Sequence, residues 1–360
     1  MGIIKWGILG AGNISLQFVH DLCLNNINPK SETKHVITCI GTSSKEKGLS
    51  FIGKANINLE NNEGVQPTVD SYDHFFKNDL VDVVYIGTPH PCHKEQVILA
   101  LEQGKHVLCE KPITVNMKDA SELVQIARQK NKFLMEAVWT RFLPCIQLVK
   151  KYISQDKVLG QIHRLFADFA YDAEISKLPS SSRVRDVNLA GGALLDVGIY
   201  TLTYARILLD TGIGKNASQF STKSFLNVDP EDHVDYNTSV LVKYENGKHG
   251  ILTCSNTTNG RQPFLRLEGS KGALEMWGDN PARPRKFRIV FNDETESINF
   301  QDDSEFHGFI YEAEAVARCV RNGEIESQVM PHDESLLVMK TMDQIRFDNG
   351  LSYPQDASDS

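Results

Sequence analysis

The chain has 360 residues, 41% of them hydrophobic and 23% charged, with a formal net charge of −8. Single cores stop growing near ~250–300 residues, so this length predicts two domains of ordinary globular composition and excludes a disordered or fibrous class. The acidic balance excludes polyanion binding as the main activity, because phosphate contacts need clustered Lys and Arg.

The first part of the chain alternates short apolar strands with helical stretches. IIKWGIL, HVITCIG, VDVVYIGT, HVLCE and KFLMEAVW read as strands, and SLQFVHDLCLNN, KEQVILALEQG and KDASELVQIARQKN as helices. Continuous apolar strands separated by helices predict a doubly wound parallel sheet covered on both faces, a Rossmann-type α/β domain over residues 1–140. The Asn-rich stretch 56–64 (NINLENNEG) breaks the rhythm and predicts an exposed loop. A helix is expected from Leu143. After about residue 158 longer alternating strands take over, predicting an α+β domain with a large, mostly antiparallel sheet over 141–350. Within it ENGK suits a primed hairpin turn, and two further helices are expected near 308–321 and 332–347. The tail 351–360 is expected to be flexible.

The seven cysteines, at 23, 39, 92, 109, 145, 254 and 319, are odd in number and form no C-x-x-C pair. They read as reduced thiols, and with no leader pattern or apolar run of ~18 residues the expected location is cytoplasmic and away from a membrane.

GILGAGNIS places Gly10, Gly12 and Ser15 in G-x-G-x-x-small register between the first strand and a helix, with Asn13 and Ile14 in the turn. Glycines there let the backbone approach a pyrophosphate seated on the helix N-terminus, so a dinucleotide is the expected cofactor. The second strand ends CIGTSSKEKG and offers no carboxylate to the ribose before Glu46. Ser43, Ser44 and Lys45 suit a 2′-phosphate instead, which favours NADP over NAD. Ser43 and Glu46 also fit an S-x-x-E capping box.

Two later strands end YIGTPHPCH and CEKP at the carboxyl edge, where ligands of open α/β sheets bind. Thr88, His90, His93, Glu110 and Lys111 are therefore expected near the cofactor. HPCHKEQ lacks metal-ligand spacing, so no metal is expected. Lys111 is either a solvated lysine before a proline or a cation beside a reacting hydroxyl. In GGALLDVGIY, Asp196 and Tyr200 lie four apart at a helix start and hence on one face. That is either a capping carboxylate and a core phenol, or the equipment to accept a proton when an alcohol loses hydride.

Taken in order, GILGAGNIS, CEKP, EAVWTRFLP and GGALLDVGIY resemble the Gfo/Idh/MocA oxidoreductase family, within it the dihydrodiol and NADP-dependent D-xylose dehydrogenases. The resemblance implies an N-terminal Rossmann domain and a C-terminal domain whose open sheet commonly makes homodimer contacts. It implies a catalytic role for Lys111, whose following proline is often cis, and matches Asp196 and Tyr200 to the family's D-x-G-x-Y segment. It also associates His93 with coenzyme binding and puts Trp139 and Arg141 where the domains meet, as substrate-pocket walls. Relatives often carry Arg near the position of Ser43, a departure at the 2′-phosphate grip. The expected activity is NADP-dependent oxidation of a hydroxyl on a sugar-like ring. The alternatives are a non-catalytic NAD(P) sensor that keeps the fold, or an NADPH-dependent carbonyl reductase.

Overall fold

A computed structural model of the chain describes residues 2–293 and 296–357. The chain divides into two units. The first comprises Met1–Thr114, Lys118–Trp139 and Glu305–His332, and the second Val115–Met117, Thr140–Ser304 and Asp333–Ser360. A single cut at residue 140 therefore misses the return of a later segment to the first unit.

The first unit holds a six-stranded parallel sheet. Its strands are β1 (Gly2–Leu9), β2 (Thr33–Gly41), β3 (Thr68–Asp70), β4 (Val83–Ile86), β5 (His106–Glu110) and β6 (Leu134–Ala137), in the order β3-β2-β1-β4-β5-β6. Every residue of β2, β4 and β6 is buried, which is why these strands are apolar runs without alternation. The crossovers include α1 (Asn13–Ile27), α2 (Lys45–Lys54), α3 (Tyr72–Phe75), α4 (His93–Glu102) and α5 (Met117–Lys130). After α6 (Pro144–Lys150) and α7 (Ile199–Leu208) of the second unit, the chain returns to the first as α8 (Ile310–Arg321). The buried Asp21 carboxylate on α1 receives it, accepting the backbone N–H groups of His307, Gly308 and Phe309 at 2.7, 2.7 and 2.9 Å.

The second unit holds an eight-stranded sheet of β7 (Ile162–Ala170), β8 (Phe220–Val228), β9 (Asp235–Tyr244), β10 (His249–Ser255), β11 (Leu265–Gly269), β12 (Gly272–Trp277), β13 (Lys286–Phe291) and β14 (Ser297–Gln301). Their order is β14-β13-β12-β11-β7-β10-β9-β8, antiparallel throughout except for the parallel pair β7/β10. Along β9 the pleat turns Val240, Val242 and Tyr244 inward and Ser239, Leu241 and Lys243 outward. Helix α7, buried along its whole length, lies against β7 and β10, and α9 (His332–Asp348) follows α8.

Four local expectations are corrected. The Asn-rich loop is pinned rather than wholly exposed: Asn62 is buried, takes the N–H of Ile37 at 2.7 Å and donates to its carbonyl at 2.8 Å. The β9–β10 turn is a three-residue loop, with Tyr244 N–H bonded to the Lys248 carbonyl and only Gly247 at positive φ, +86°. A primed turn would need Asn246 at positive φ too. The cap of α2 is Ser44, which accepts the Lys47 N–H at 3.3 Å, so Ser43 is not the capping-box residue. Residues 351–357 of the expected tail are held in place: Tyr353 is buried, donates to the Gly191 carbonyl at 2.6 Å, and Asp356 pairs with Arg346. Residues 358–360 lie outside the described residues.

Candidate active site

In the first unit the expected cofactor residues gather at the carboxyl ends of β1, β4 and β5, where the strand order reverses. Gly10 takes φ +95°, and a Cβ there would stand 3.0 Å from the Gly87 carbonyl carbon and oxygen. Only glycine fits that turn without strain. Gly12 is the N-cap of α1 and supplies no side-chain cap, so the first-turn N–H groups around Asn13 and Ile14 carry no side-chain partner at the cap. A Cβ on Gly12 would meet nothing nearer than the Gly87 oxygen at 4.0 Å. An uncapped helix end behind an open glycine turn suits a pyrophosphate, so the residues present fit a dinucleotide. Ser15, the third fingerprint position, is fully buried, and its hydroxyl has no hydrogen-bond partner among the described residues.

At the end of β2, Ser43 is exposed and receives the Lys47 ammonium at 3.1 Å, while Lys45 is also exposed. Lys47 was not among the expected contacts. It reaches Ser43 because the two stand one helical turn apart.

Around β4 and β5 the expected contacts divide. Thr88 donates its hydroxyl to Gln96 at 2.6 Å, and His90 opens a short 3₁₀ turn over His90–Cys92. His93 is fully buried, its ring nitrogens 2.9 Å from the Pro112 carbonyl and 2.8 Å from that of Thr88. Burial, above all, lowers its pKa. The ring therefore braces the Thr88 and Pro112 turns. Glu110 likewise turns inward: it is 5% exposed, accepts the Tyr85 hydroxyl at 2.6 Å, and its second oxygen lies 3.3 Å from the Lys111 backbone nitrogen. Burial pushes its carboxyl up to about 7 against the lowering pull of Tyr85 and Lys111. The Lys111–Pro112 bond is cis.

Asp196 and Tyr200 belong to the second unit and Lys111 to the first. Asp196 lies in a π-helical turn, Leu194–Gly198, that runs directly into α7, where Tyr200 is the second residue. Such wider turns recur at functional sites. The segment is pinned by Asp235, which accepts the Leu194 N–H at 2.8 Å and the Thr238 hydroxyl at 2.7 Å. Gly192 holds φ +105° beside it, where a Cβ would lie 2.4 Å from an Asp235 oxygen. This accounts for the glycine pair before the helix. One Asp196 oxygen accepts the Tyr171 hydroxyl at 3.0 Å, and Arg183 stands 3.0 Å from the other. Neither partner was expected. Burial, then the Asp196 charge, drives the Tyr171 phenol well above its ordinary value, so it is a donor at neutral pH. Tyr200 is 4% exposed, its ring 5.6 Å from that of Phe169.

The two expected pocket walls pack as follows. Trp139 is buried and stacks on Phe309 at 4.3 Å between ring centroids. Arg141 is buried against Glu334 at 2.6 Å. Glu334 also takes Arg206 at 3.1 Å and the Gly214 N–H at 2.8 Å. Arg141 thus belongs to a buried charge network. Among the described residues, His20, Asp21 and His307 are close enough to hold a metal. Asp21 is already occupied as the cap of α8, which accounts for their proximity without one.

Comparison with known proteins joins these observations. Residues 4–138 match the oxidoreductase family with an NAD-binding Rossmann fold (Gfo/Idh/MocA), and residues 146–275 match the Gfo/Idh/MocA C-terminal domain. The chain belongs to the Gfo/Idh/MocA oxidoreductase family. This Gfo/Idh/MocA chain is 32% identical to a D-xylose 1-dehydrogenase (NADP(+)) of Hypocrea jecorina, over 98% of this chain and 93% of that protein. It is also 32% identical to the trans-1,2-dihydrobenzene-1,2-diol dehydrogenases of Xenopus tropicalis and Homo sapiens, over 97% and 98% of this chain and 99% of each. Its fold matches levoglucosan dehydrogenase in complex with NADH and levoglucosan, at TM-score 0.82, 19% identity and 97% coverage of both chains. It also matches a 3-ketoreductase from Actinomadura kijaniata in complex with NADP and TDP-benzene, at TM-score 0.76, 23% identity and coverage of 96% of this chain and 97% of that one. The protein is an oxidoreductase with an NAD(P)-binding Rossmann domain. Among the described residues no helix is long and apolar enough to cross a membrane.

Proposed function

We propose that this oxidoreductase is a cytoplasmic, NADP-dependent dehydrogenase that oxidises one hydroxyl of a sugar-like ring, either an aldopyranose such as D-xylose or a trans-dihydrodiol. The observation that carries the reading is the presence in one family member of Lys111 at the carboxyl edge of β5 and of Asp196 and Tyr200 on one helical segment. The cofactor accepts hydride at its nicotinamide C4, so the alcohol becomes a carbonyl and one proton must be taken up by the protein. Tyr200 takes that proton as the phenolate, the form that the Lys111 ammonium favours, and becomes the neutral phenol, while Asp196 orients the substrate. The backbone of the Gly10–Ile14 turn holds the pyrophosphate. Ser43, Ser44 and Lys45, with Lys47 added, hold the 2′-phosphate, while Thr88 and His90 line the nicotinamide side. His93 and Glu110 set the position and charge of the turns that carry Thr88 and Lys111. The NADP preference rests on the missing acid after β2 and on the NADP-dependent relative.

The experiment is turnover of NADP with a panel of aldopyranoses and trans-dihydrodiols, by wild type and Lys111→Ala. Cofactor reduction by wild type and a loss of about 100-fold or more in kcat for the variant, with NADP affinity retained, are expected. Near wild-type turnover by Lys111→Ala refutes the mechanism, and tight NADP binding without any turnover points to a sensor.

The same protein is proposed to form a homodimer through the open face of the second sheet. In support, Phe225 on β8 and Leu241 on β9 are 84% and 56% exposed, where apolar side chains gain from a partner. Sedimentation of the double variant Phe225→Asp/Leu241→Asp as a monomer, against a wild-type dimer, is the expected result.

A further inference from the structure

We propose that Tyr353 is a positioning residue for the hydride transfer: from the last segment of the chain it holds the turn that sets Asp196 and Tyr200. This rests on the dehydrogenase reading above and adds to it a residue that acts through the reacting segment rather than on the substrate.

The turn before the reacting segment is bent hard. Ala190 stands at φ +51° and Gly192 at φ +105°, on either side of Gly191. An alanine at positive φ is strained, and such a conformation persists only where its surroundings over-determine it. Three of the bonds that do so are local: the N–H groups of Ala190, Gly191 and Gly192 reach the carbonyls of Val187, Asp186 and Val184 at 3.1, 3.1 and 3.0 Å. A fourth comes from far along the chain, where the Tyr353 hydroxyl donates to the Gly191 carbonyl at 2.6 Å. Directly after the turn the Leu194 N–H is taken by Asp235, and the π-helical turn that carries Asp196 begins. An error in the direction of the Gly191 peptide is therefore passed on to Asp196 and Tyr200 within a few residues.

Tyr353 is itself rigidly placed. It is 3% exposed, and its backbone N–H donates to Asp356 at 2.7 Å. Asp356 takes the fully buried Arg346 of α9 through both oxygens, at 2.6 and 3.1 Å, and that guanidinium lies 5.0 Å from the centre of the Tyr353 ring. A two-pronged buried pair fixes orientation as well as charge. Beside it the Gln355 amide donates to the Asn188 carbonyl at 2.9 Å, a second bond from the tail to the same loop. The Gln355 carbonyl accepts the Asn116 amide at 2.9 Å, so the tail meets the stretch that follows Lys111 in the chain as well as the one that precedes Asp196. Burial, above all, drives the Tyr353 phenol well above its ordinary value, so it remains a donor at neutral pH. A phenylalanine would fill the same space. The hydroxyl adds one bond, and the carbonyl that receives it belongs to the turn before Asp196.

The test uses the full chain with NADP and two probes, D-xylose and trans-1,2-dihydrobenzene-1,2-diol. Tyr353→Phe keeps the ring and removes the bond to Gly191. It is expected to lower kcat about ten- to a hundredfold while KM and NADP affinity stay within about twofold, the signature of placement lost in the transition state. Asp356→Asn, which weakens the hold on Arg346 without touching the phenol, is expected to show a smaller loss of the same kind. Tyr244→Phe removes one buried hydroxyl from the Arg206 network of the same unit, and is expected to lower the melting temperature about as much as Tyr353→Phe while keeping wild-type kcat. Wild-type kcat in both Tyr353→Phe and Asp356→Asn, or an equal kcat loss in Tyr244→Phe, overturns the positioning role while leaving the dehydrogenase intact. Absence of NADP reduction by wild type with both probes and with every other sugar and dihydrodiol overturns the dehydrogenase reading and the positioning role with it.

Discussion

Replacing Glu334 with glutamine removes one negative charge from the buried network of the second unit at almost constant volume. In the wild type this fully buried carboxylate faces two cations, Arg141 at 2.6 Å and Arg206 at 3.1 Å, while Asp210 offsets part of the Arg206 charge. Burial alone would push the Glu334 carboxyl up, but Arg141 and Arg206 together hold it below its ordinary range. A single close pair is worth about 4 kcal/mol at an effective dielectric of ~20, and the Glu334 desolvation cost that the variant avoids offsets part of the loss of two such pairs. What remains is the penalty of two buried guanidiniums sharing one acid, so Glu334→Gln is expected to cost about 3–5 kcal/mol, the range for breaking a buried pair from one side. At about 2–4 °C per kcal/mol for a unit of this size, the transition of the second unit falls by roughly 6–20 °C in a calorimetric scan. The pH dependence has a definite sign. A carboxyl depressed in the folded state contributes stability above its unfolded value, about 4.3, and that contribution is lost as pH falls through the lower folded value. The gap between wild type and variant should therefore be full at pH 7 and close in strong acid. A loss under about 1 kcal/mol at pH 7, the scale of an exposed pair, would refute the buried-network account.

Three further outcomes are expected. Gly10→Ala forces a side chain into φ +95° and against the Gly87 carbonyl, a strain of about 1–3 kcal/mol, so cofactor affinity measured by fluorescence titration should fall about tenfold or more. Ser43→Asp places a carboxylate where the 2′-phosphate is proposed to sit; like charges there cost several kcal/mol, so kcat/KM should drop at least about tenfold with NADP while NAD is spared. Glu312 is buried, with neither oxygen hydrogen-bonded among the described residues, and burial followed by the Glu110 and Asp21 charges raises its carboxyl well above the usual range. A raised acid contributes stability below its unfolded value and loses it as pH rises through the folded one, so Glu312→Gln should flatten the loss of stability toward alkaline pH in urea titrations.

The rhythm of buried strands and helices was legible because it is a local pattern, repeated in β1, β2, β4, β5 and β6. The three-residue β3 is too short to display any period, and it passed unnoticed. The return of α8 to the first unit left no local mark, since the Asp21 carboxylate that receives it is nearly 290 positions upstream. The shift of the α2 cap from Ser43 to Ser44 is a change of one residue between equivalent hydroxyls, below what propensity resolves.

The site divides along the same line. Gly10, Gly12, Lys111, Asp196 and Tyr200 stood out because backbone geometry or spacing constrains them within a few residues. The partner of Arg141 was not legible, since the resemblance that singled the residue out says nothing of Glu334, 193 positions away. Tyr171 and Arg183 went unseen for the opposite reason: nothing near either of them is unusual, and their contacts are with Asp196, 25 and 13 positions further on. Function in such a site is carried by the partner as much as by the residue. A carboxylate that reads in sequence as an interchangeable acid becomes, between the Tyr171 hydroxyl and the Arg183 guanidinium, an acceptor held through both of its oxygens.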